Sequence, residues 1–511
     1  MESLDEVRIL APELAISEGV QMSQSSPGPE VNPSRLAAVV LAAGEGTRMK
    51  SSIPKVLHPL CGRPMLLHVI GALEQLAVER IVVVVGHGAD KVVKTLHGET
   101  DVPLEFVEQR VQRGTGDAVS VALTVFADEL DGDDDIVVVP GDTPLLQAET
   151  VAALVREHET SGAAATILTA RLPDATGYGR IVRGKDGGVE SIVDHWDATD
   201  TEREIDEVNT SIYCFRRNLI APALRRLSPE NAQGEYYLTD AIAVLRQAGH
   251  KVVAMTAPET AEALGVNDRL QLAEAEAALR ARINASWMRA GVTMTDPART
   301  YVDASVTLGA DVSLLPGVVL EGRTSVGAGS VIGPDTRLVD TTVGEGATVT
   351  YTVAREAEIG DGVTVGPYTH LRPGTRLARD AKAGSFVEIK ASEVEEGAKI
   401  PHLAYVGDAT VGPGANVGAG TITANYDGRA KHRTRIGARA RIGSNTVLVA
   451  PVEVGEDAYT GAGSVVTHDV PAGALAKGVP ARVEEGWAKA RSDEAALETA
   501  APEGGAADQE G

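Results

Sequence analysis

The segment Leu41 to Lys55, LAAGEGTRMKSSIPK, joins a glycine-rich turn to an arginine and a lysine. It follows an apolar run, Leu36 to Leu41, short and β-branched enough for a buried strand. Gly44 and Gly46 let the backbone turn and approach a ligand closely. The N–H groups of such a turn point at an anion, and Arg48 and Lys55 add full positive charge. The residues that follow read as the opening of a helix, which would add its own partial charge. This is chemistry for holding phosphates. A glycine pair after a strand is also an ordinary tight turn. The spacing is neither a P-loop, lacking a Gly-Lys-Ser/Thr ending, nor a dinucleotide-fold turn, lacking a third glycine after Gly46. A second candidate is Asp142 in Pro140-Gly141-Asp142, a carboxylate just beyond the apolar run Ile136 to Val139, where α/β sheets hold ligands. By itself it reads as a helix cap just as readily.

The elements that would position these groups follow from periodicity. Apolar runs at Leu36 to Leu41, Arg80 to Val85, Ile136 to Pro140, Ala163 to Ala170 and Ser211 to Phe215 alternate with helical patterns. That alternation predicts an α/β Rossmann-like domain with a mostly parallel sheet over residues 35–266. Residues 267–292 are rich in helix formers, with no glycine or proline from Arg269 to Ala290, and predict a linker helix. Over 293–487 an aliphatic residue followed by glycine recurs every six residues, as in Val326-Gly327 to Ile332-Gly333, Ile359-Gly360 to Val365-Gly366, Val411-Gly412 to Val417-Gly418 and Ile436-Gly437 to Ile442-Gly443. Hexapeptide repeats predict a left-handed parallel β-helix, in which three short strands make one coil and the aliphatic side chain points inward. An aromatic content of 3% suits so narrow an interior. The longer interval Asn425 to Thr434 is expected to emerge as a functional loop. Residues 1–34 and 488–511 read as disordered, polar and largely acidic tails.

A chain of 511 residues accommodates two or three domains, and its formal net charge of -25 argues against nucleic acid or an anionic membrane as main partner. Anionic small substrates would meet local clusters of Arg and Lys. Cys61 and Cys214 make no disulfide framework and read as buried thiols of a reducing compartment. No apolar run approaches the roughly 20 residues of a membrane span, and the N-terminus has no signal-like core, so a cytoplasmic location is expected.

The pattern Leu-Ala-Ala-Gly-x-Gly-Thr-Arg-Met followed by Pro54-Lys55-Val56-Leu57 resembles the signature of sugar nucleotidyltransferases, which join a nucleoside triphosphate to a sugar 1-phosphate and release pyrophosphate. With the hexapeptide repeats, the stretch from Arg35 to Trp487 resembles the bifunctional GlmU family, which makes UDP-N-acetylglucosamine for peptidoglycan and other envelope glycans. The resemblance implies UTP and UDP-sugar binding by Leu41, Ala42, Ala43, Gly44, Lys55, Gln109, Gly114, Thr115, Gly179, Asp194, Asn209 and Asn267. It implies Mg2+ on Asp142 and Asn267, with water and phosphate completing the shell. Gln109 with Gly114-Thr115-Gly116 would read the uracil edge; alone, they read as a surface glutamine and a turn. The family typically has glutamate where this chain has Asp194, one methylene shorter, a reach that a bridging water can make up. Uridylyl transfer needs no general base, because the attacking phosphate oxygen is already ionised; Arg48 and Lys55 would stabilise the departing pyrophosphate.

Acetyl transfer to an amine does need a base, and His402 in Pro401-His402-Leu403-Ala404-Tyr405 matches the family's. The resemblance further implies glucosamine-phosphate binding by Arg372, Lys390, Tyr405, Asn416 and Lys431, acetyl-CoA binding by Asn425, Tyr426, Ser444 and Ala462, and a basic coenzyme contact at Lys477 or Arg482. It also implies a homotrimer. Without it, the lone histidine reads as structural and the cations as a solvated face. Three rivals stand beside this reading: a single-activity sugar-nucleotide pyrophosphorylase with a noncatalytic oligomerising β-helix, a β-helix serving as an interaction scaffold, and a zinc site built from His370, His402 and His432.

Overall fold

The computed structural model describes residues 36–76, 78–100, 102–126 and 134–487; the expected tails lie outside the described residues. The chain divides into two compact units, with the division at Leu279/Arg280 inside the helix Arg269–Arg289.

The first unit is built on a nine-stranded sheet. Its strands are β1 (Leu36–Ala42), β4 (Arg80–Val85), β5 (Leu104–Glu108), β6 (Asp135–Pro140), β7 (Ala165–Arg171), β8 (Arg180–Arg183), β9 (Val189–Val193), β10 (Glu207–Arg216) and β11 (Val252–Thr256), while β2 (Pro59–Leu60) and β3 (Arg63–Pro64) form a small separate hairpin. The order is β11-β7-β10-β6-β1-β4-β5, with β8 and β9 attached through β10. Alternate residues of the central strands feed two different cores: Val39, Val82 and Val138 enter one, Val40, Val83 and Val139 the other. That is why these runs are apolar throughout rather than alternating with polar residues: both faces are covered.

Parallel pairing holds for β1 with β4 and β6, β4 with β5, and β7 with β11, but β10 runs antiparallel to both β6 and β7. The expected strand Ser211 to Phe215 is the second half of this longer strand. A bulge between Asn209 and Ile212, with Ser211 at φ +62°, breaks its alternation and hides its first half from pattern reading.

In the second unit each strand as far as Val447–Val449 pairs in parallel with the third strand after it, and a terminal antiparallel hairpin, Leu475–Gly478 with Ala481–Glu484, closes one sheet, giving sheets of twelve, ten and nine strands around one continuous core: a parallel β-helix of hexapeptide repeats. The repeat aliphatics Val326, Ile332, Ile359, Val365, Val411, Val417, Ile436 and Ile442 are all buried. The glycines after them have a steric cause. A Cβ on Gly412, Gly437 or Gly455 would lie 2.5–2.7 Å from backbone atoms of the next coil. Buried hydroxyls meet the backbone demand of neighbouring coils. Ser392 Oγ donates to Lys390 O at 2.8 Å and accepts from Ala409 N at 2.9 Å. Lys399 pairs with Asn416 and Asn416 with Arg441, so one coil is 25 residues long where the coil before it has 17. The excess is the loop between Ile422–Ala424 and Thr434–Ile436. Among the described residues no helix is long and apolar enough to cross a membrane.

Candidate active sites

In the first unit β1 pairs in parallel with β6 on one side, while β4 and then β5 lie on its other side. Where strand order reverses in this way, a crevice opens at the carboxyl ends. The glycine-rich turn and Gly141-Asp142 both emerge there, tied by Gly141 N–H to Leu41 O at 2.8 Å. Gly46 has φ +65°, and a Cβ on it would lie 2.5 Å from Lys55 Cβ, so Lys55 packs against the turn itself. The Lys55 ammonium pairs with the Asp142 carboxylate and donates to Asn267 Oδ1 at 2.9 Å; Arg48 donates to that same oxygen at 2.9 Å. Asn267 is held by its N–H to Gln271 Oε1 at 2.7 Å, and Val266 N–H reaches Asp142 O at 2.8 Å. Arg48, Lys55, Asp142 and Asn267 therefore form one cluster, though they span most of the unit's sequence.

The expected helix after the turn is absent: two three-residue 3₁₀ turns, Thr47–Met49 and Lys55–Leu57, stand in its place, and the first long helix starts at Met65. Pro54 and the αL backbone of Lys50 prevent a continuous helix, so anion binding here falls to side chains and turn amides rather than a helix dipole.

Gln109, 5% exposed, is not a surface glutamine. Its Nε2 donates to Gly114 O at 3.1 Å and Asp117 Oδ2 at 2.8 Å, bracing its own loop. Gly114 sits at φ +103°, where a Cβ would meet Tyr236 O at 2.6 Å, and Thr115 Oγ1 accepts from Leu238 N at 3.1 Å. Gln112, which the sequence reading missed, donates to Ala43 O at 2.5 Å and links this loop to the glycine-rich turn.

Gly179 precedes β8, whose Arg180 pairs with both Val193 and Val208; Asp194 and Asn209 therefore flank Gly179 on its two sides. Asn209 N–H donates to Gly179 O at 2.9 Å. Below them, buried Glu207 accepts from Arg183 at 2.7 and 2.8 Å and from Thr169 at 3.0 Å. Asp194 accepts from Trp196 N at 3.1 Å. Burial, and after it the carboxylates of Asp194, Asp197, Glu235 and Asp240, push the Tyr237 phenol up to about 12.

In the second unit, register aligns the other cluster. Arg372 N–H donates to Ile389 O at 2.9 Å, so Arg372 stands over Lys390, which in turn pairs with Gly407. Glu388 pairs with Tyr405 two residues earlier on the same strands and accepts from Arg372 at 2.9 Å. A Cβ on Gly407 would lie 2.5 Å from the Tyr405 hydroxyl and 2.8 Å from Asn425 Nδ2, so both groups occupy the space over that glycine. Asn425 Nδ2 donates to Asp408 Oδ2, which also faces Lys390 Nζ at 3.4 Å. In the long loop, Tyr426 and Lys431 form an antiparallel bridge. Asp427 closes the loop by accepting from Arg429 N at 2.8 Å, Ala430 N at 2.7 Å and His432 Nε2 at 2.7 Å; the Ala430 amide first, then His432, holds its carboxyl well below the usual range. Lys390 beside it pushes Lys431 below the ordinary lysine value.

His402 is exposed at the end of Lys399–His402 and pairs with Ser385. Extending the Lys399–Asn416–Arg441–Tyr459 register by three residues puts His402, Ala419, Ser444 and Ala462 in one column, one per coil. Ala419 and the pairs involving Glu388 and Asp408 escaped the sequence reading, because alanine and surface carboxylates carry no local signal. Asn416 lies on the His402 sheet, three residues before Ala419. Lys477 and Arg482 are cross-strand partners in a terminal hairpin, and Lys477 pairs with Glu484 at 2.7 Å. Among the described residues no group of three or more His, Cys, Asp or Glu is placed to hold a metal, so His370, His402 and His432 do not converge.

The MobA-like NTP transferase domain family matches residues 38–290, and the bacterial transferase hexapeptide family matches residues 433–468. Proteins described as bifunctional protein GlmU are similar over nearly the whole chain. That of Streptomyces avermitilis is 49% identical over 91% of this chain and 96% of its own. That of Thermobifida fusca is 51% identical over 89% and 95%, and that of Mycobacterium bovis 48% over 89% and 92%.

Proposed function

From the premise that the chain belongs to the bifunctional GlmU family, we propose the following residue-level division of labour between its two sites. The enzyme transfers acetyl from acetyl-CoA to glucosamine 1-phosphate and uridylyl from UTP to N-acetylglucosamine 1-phosphate. The observation that carries the assignment is the convergence of two separate cationic clusters, one on each fold.

In uridylyl transfer a phosphate oxygen of N-acetylglucosamine 1-phosphate forms a bond to the α-phosphorus of UTP while the bond to pyrophosphate breaks. Both partners are anions, so the protein's task is to bring them together and stabilise the leaving charge. Arg48 and Lys55 do this from the glycine-rich turn, whose backbone from Leu41 to Gly44 meets the triphosphate. Gln109, Gly114 and Thr115 take the uracil, and Gly179, Asp194 and Asn209 take the sugar. Asp142 and Asn267 direct oxygens at the single Lys55 ammonium, and two such oxygens fit a hard divalent cation that keeps several waters. Magnesium held there would supply charge stabilisation to the phosphates.

In acetyl transfer His402 takes a proton from the substrate ammonium, the freed amine forms a bond to the thioester carbonyl carbon, and the carbon–sulfur bond breaks as the nitrogen's second proton passes to the departing sulfur, releasing coenzyme A as the thiol. Arg372, Lys390 and Lys431 grip the phosphate, and Tyr405 and Asn416 orient the sugar. Asn425, Tyr426 and the column of Ala419, Ser444 and Ala462 receive the coenzyme along the corner that ends at His402, with Lys477 or Arg482 as its basic contact.

The functional form is a homotrimer. Its support is an exposed column of Tyr351, Tyr368, Phe386 and Leu403, all at positive φ on one corner, with ring centroids 5.2–5.3 Å apart. Leu403 adjoins His402, so a second copy covering the column would also wall the acetyl site. UTP and acetyl-CoA as substrates support a cytoplasmic place of action, and the domain limits 35–266, 267–292 and 293–487 describe the chain's working parts.

Two variants test the division. Asp142→Ala is expected to abolish magnesium-dependent pyrophosphate release and leave thiol release from acetyl-CoA unchanged. His402→Ala is expected to lower thiol release by roughly 10²- to 10⁴-fold, the usual worth of a positioned acid–base group, and to spare pyrophosphate release. Joint loss of both activities in either variant would refute the two-site assignment.

A further inference from the structure

Asp408 is named by none of the roles above, yet among the described residues it is the side chain that touches both halves of the acetyl site. Its Oδ2 accepts from Asn425 Nδ2 and faces Lys390 Nζ at 3.4 Å, with both side chains of the ion pair less than a fifth exposed. Its backbone is held as firmly as its carboxylate. Asp408 sits at φ +50°, its N–H donates to Lys390 O at 3.0 Å, and its carbonyl accepts from Thr434 N at 3.2 Å. Lys390 lies on the coil before it, while Asn425 opens and Thr434 closes the long loop. We propose that Asp408 is a positioning residue for acetyl transfer, its single carboxylate fixing the phosphate-gripping lysine and the coenzyme-facing asparagine relative to one another.

The inference rests on the assignment of Lys390 to the sugar phosphate and Asn425 to the coenzyme. Its physical basis is charge as well as geometry. Lys390 and Lys431 are close enough that each alters the other's protonation, and Arg372 adds a third positive charge. Before substrate arrives, Asp408 is the anion that faces Lys390, while Glu388 pairs with Arg372, so the cations stand together with both of these charges met. When the dianionic phosphate arrives, Asp408 keeps Lys390 aimed rather than free to follow it, because a second partner limits the lysine's rotamers.

The test measures KM and kcat for each substrate, using the full-length enzyme with pyrophosphate release as internal control of folding. Lys390→Ala is expected to raise KM for glucosamine 1-phosphate alone, and Asn425→Ala to raise KM for acetyl-CoA alone. Asp408→Ala is expected to raise both, each by about fivefold or more. Asp408→Asn keeps a neutral acceptor for Asn425 but loses the charge at Lys390; it is expected to restore KM for acetyl-CoA and not KM for glucosamine 1-phosphate. If Lys390→Ala and Asn425→Ala behave as stated but Asp408→Asn leaves both constants unchanged, Asp408 has no positioning role. Equal rises in both constants for Asp408→Asn and Asp408→Ala would make it a purely structural corner. Unchanged constants in Lys390→Ala or Asn425→Ala would overturn the substrate assignment itself.

Discussion

At the residue scale, two glycines decide where charged groups go. Gly46 combines a left-handed backbone with contact against Lys55, so Gly46→Ala strains the turn and forces Lys55 away from Asp142 and Asn267. Uridylyl transfer is expected to fall at least tenfold in that variant, with acetyl transfer unchanged, as read by the two release assays. Gly407 differs in kind, since its φ is not positive and only its neighbours forbid a side chain. Gly407→Ala would displace the Tyr405 hydroxyl and Asn425 Nδ2 together. Acetyl transfer is expected to drop with uridylyl transfer unchanged, as read by the two release assays, because the methyl would meet the two side chains that fill the space above this buried glycine. The first glycine stood out in the sequence through its motif. Gly407 did not, because nothing in Tyr405-Val406-Gly407-Asp408 announces that a tyrosine and a loop asparagine meet above it.

At the element scale, β8 and β10 hold the residues proposed to take the sugar through an ion pair below them. Burial alone would raise the pKa of Glu207, but hydrogen bonds from Arg183 and Thr169 and the charges of Arg183 and Arg171 hold it below the usual glutamate value. A carboxyl whose folded pKa is depressed adds stability that is fully present above its unfolded value, near 4.3, and is lost as pH falls through the folded value. Glu207→Gln is therefore expected to lower stability of this unit at pH 7 by about 1–3 kcal/mol, the usual worth of charged hydrogen bonds. Below about pH 4 the difference from the parent should shrink, which denaturant unfolding at several pH values would show. The β-helix follows another logic. Each coil is specified by a buried aliphatic residue and a glycine that lets the next coil approach, so its rules are local and repeat along the chain.

At the scale of the whole molecule, the column Tyr351, Tyr368, Phe386 and Leu403 is the feature most in need of a partner. Phe386 is 59% exposed and Leu403 61%, and three rings in successive contact on a corner present more apolar surface than scattered exposed residues do. If the proposed trimer forms through this corner, Phe386→Asp is expected to give monomer in light scattering, to lower acetyl transfer, and to leave uridylyl transfer intact. A trimer that persists with full acetyl activity would remove this corner from the interface.

By itself the sequence determined both fold classes, the strand β1 to within one residue of its end, the inward aliphatics of the repeats, the position of the long loop and the family. Those features are encoded within windows of six to fifteen residues, where periodicity and turn chemistry act. Only the tertiary structure decided that β10 runs antiparallel behind a bulge, that short 3₁₀ turns replace a helix after Gly46, and that Gln109 is buried. It alone brought Asn267 to Arg48 and Lys55, set Ala419 in line with His402, and hung Lys390 and Asn425 on Asp408. These are pairings between residues far apart in the chain, fixed by strand order and coil register, and no local pattern of side chains records which distant residue will stand opposite.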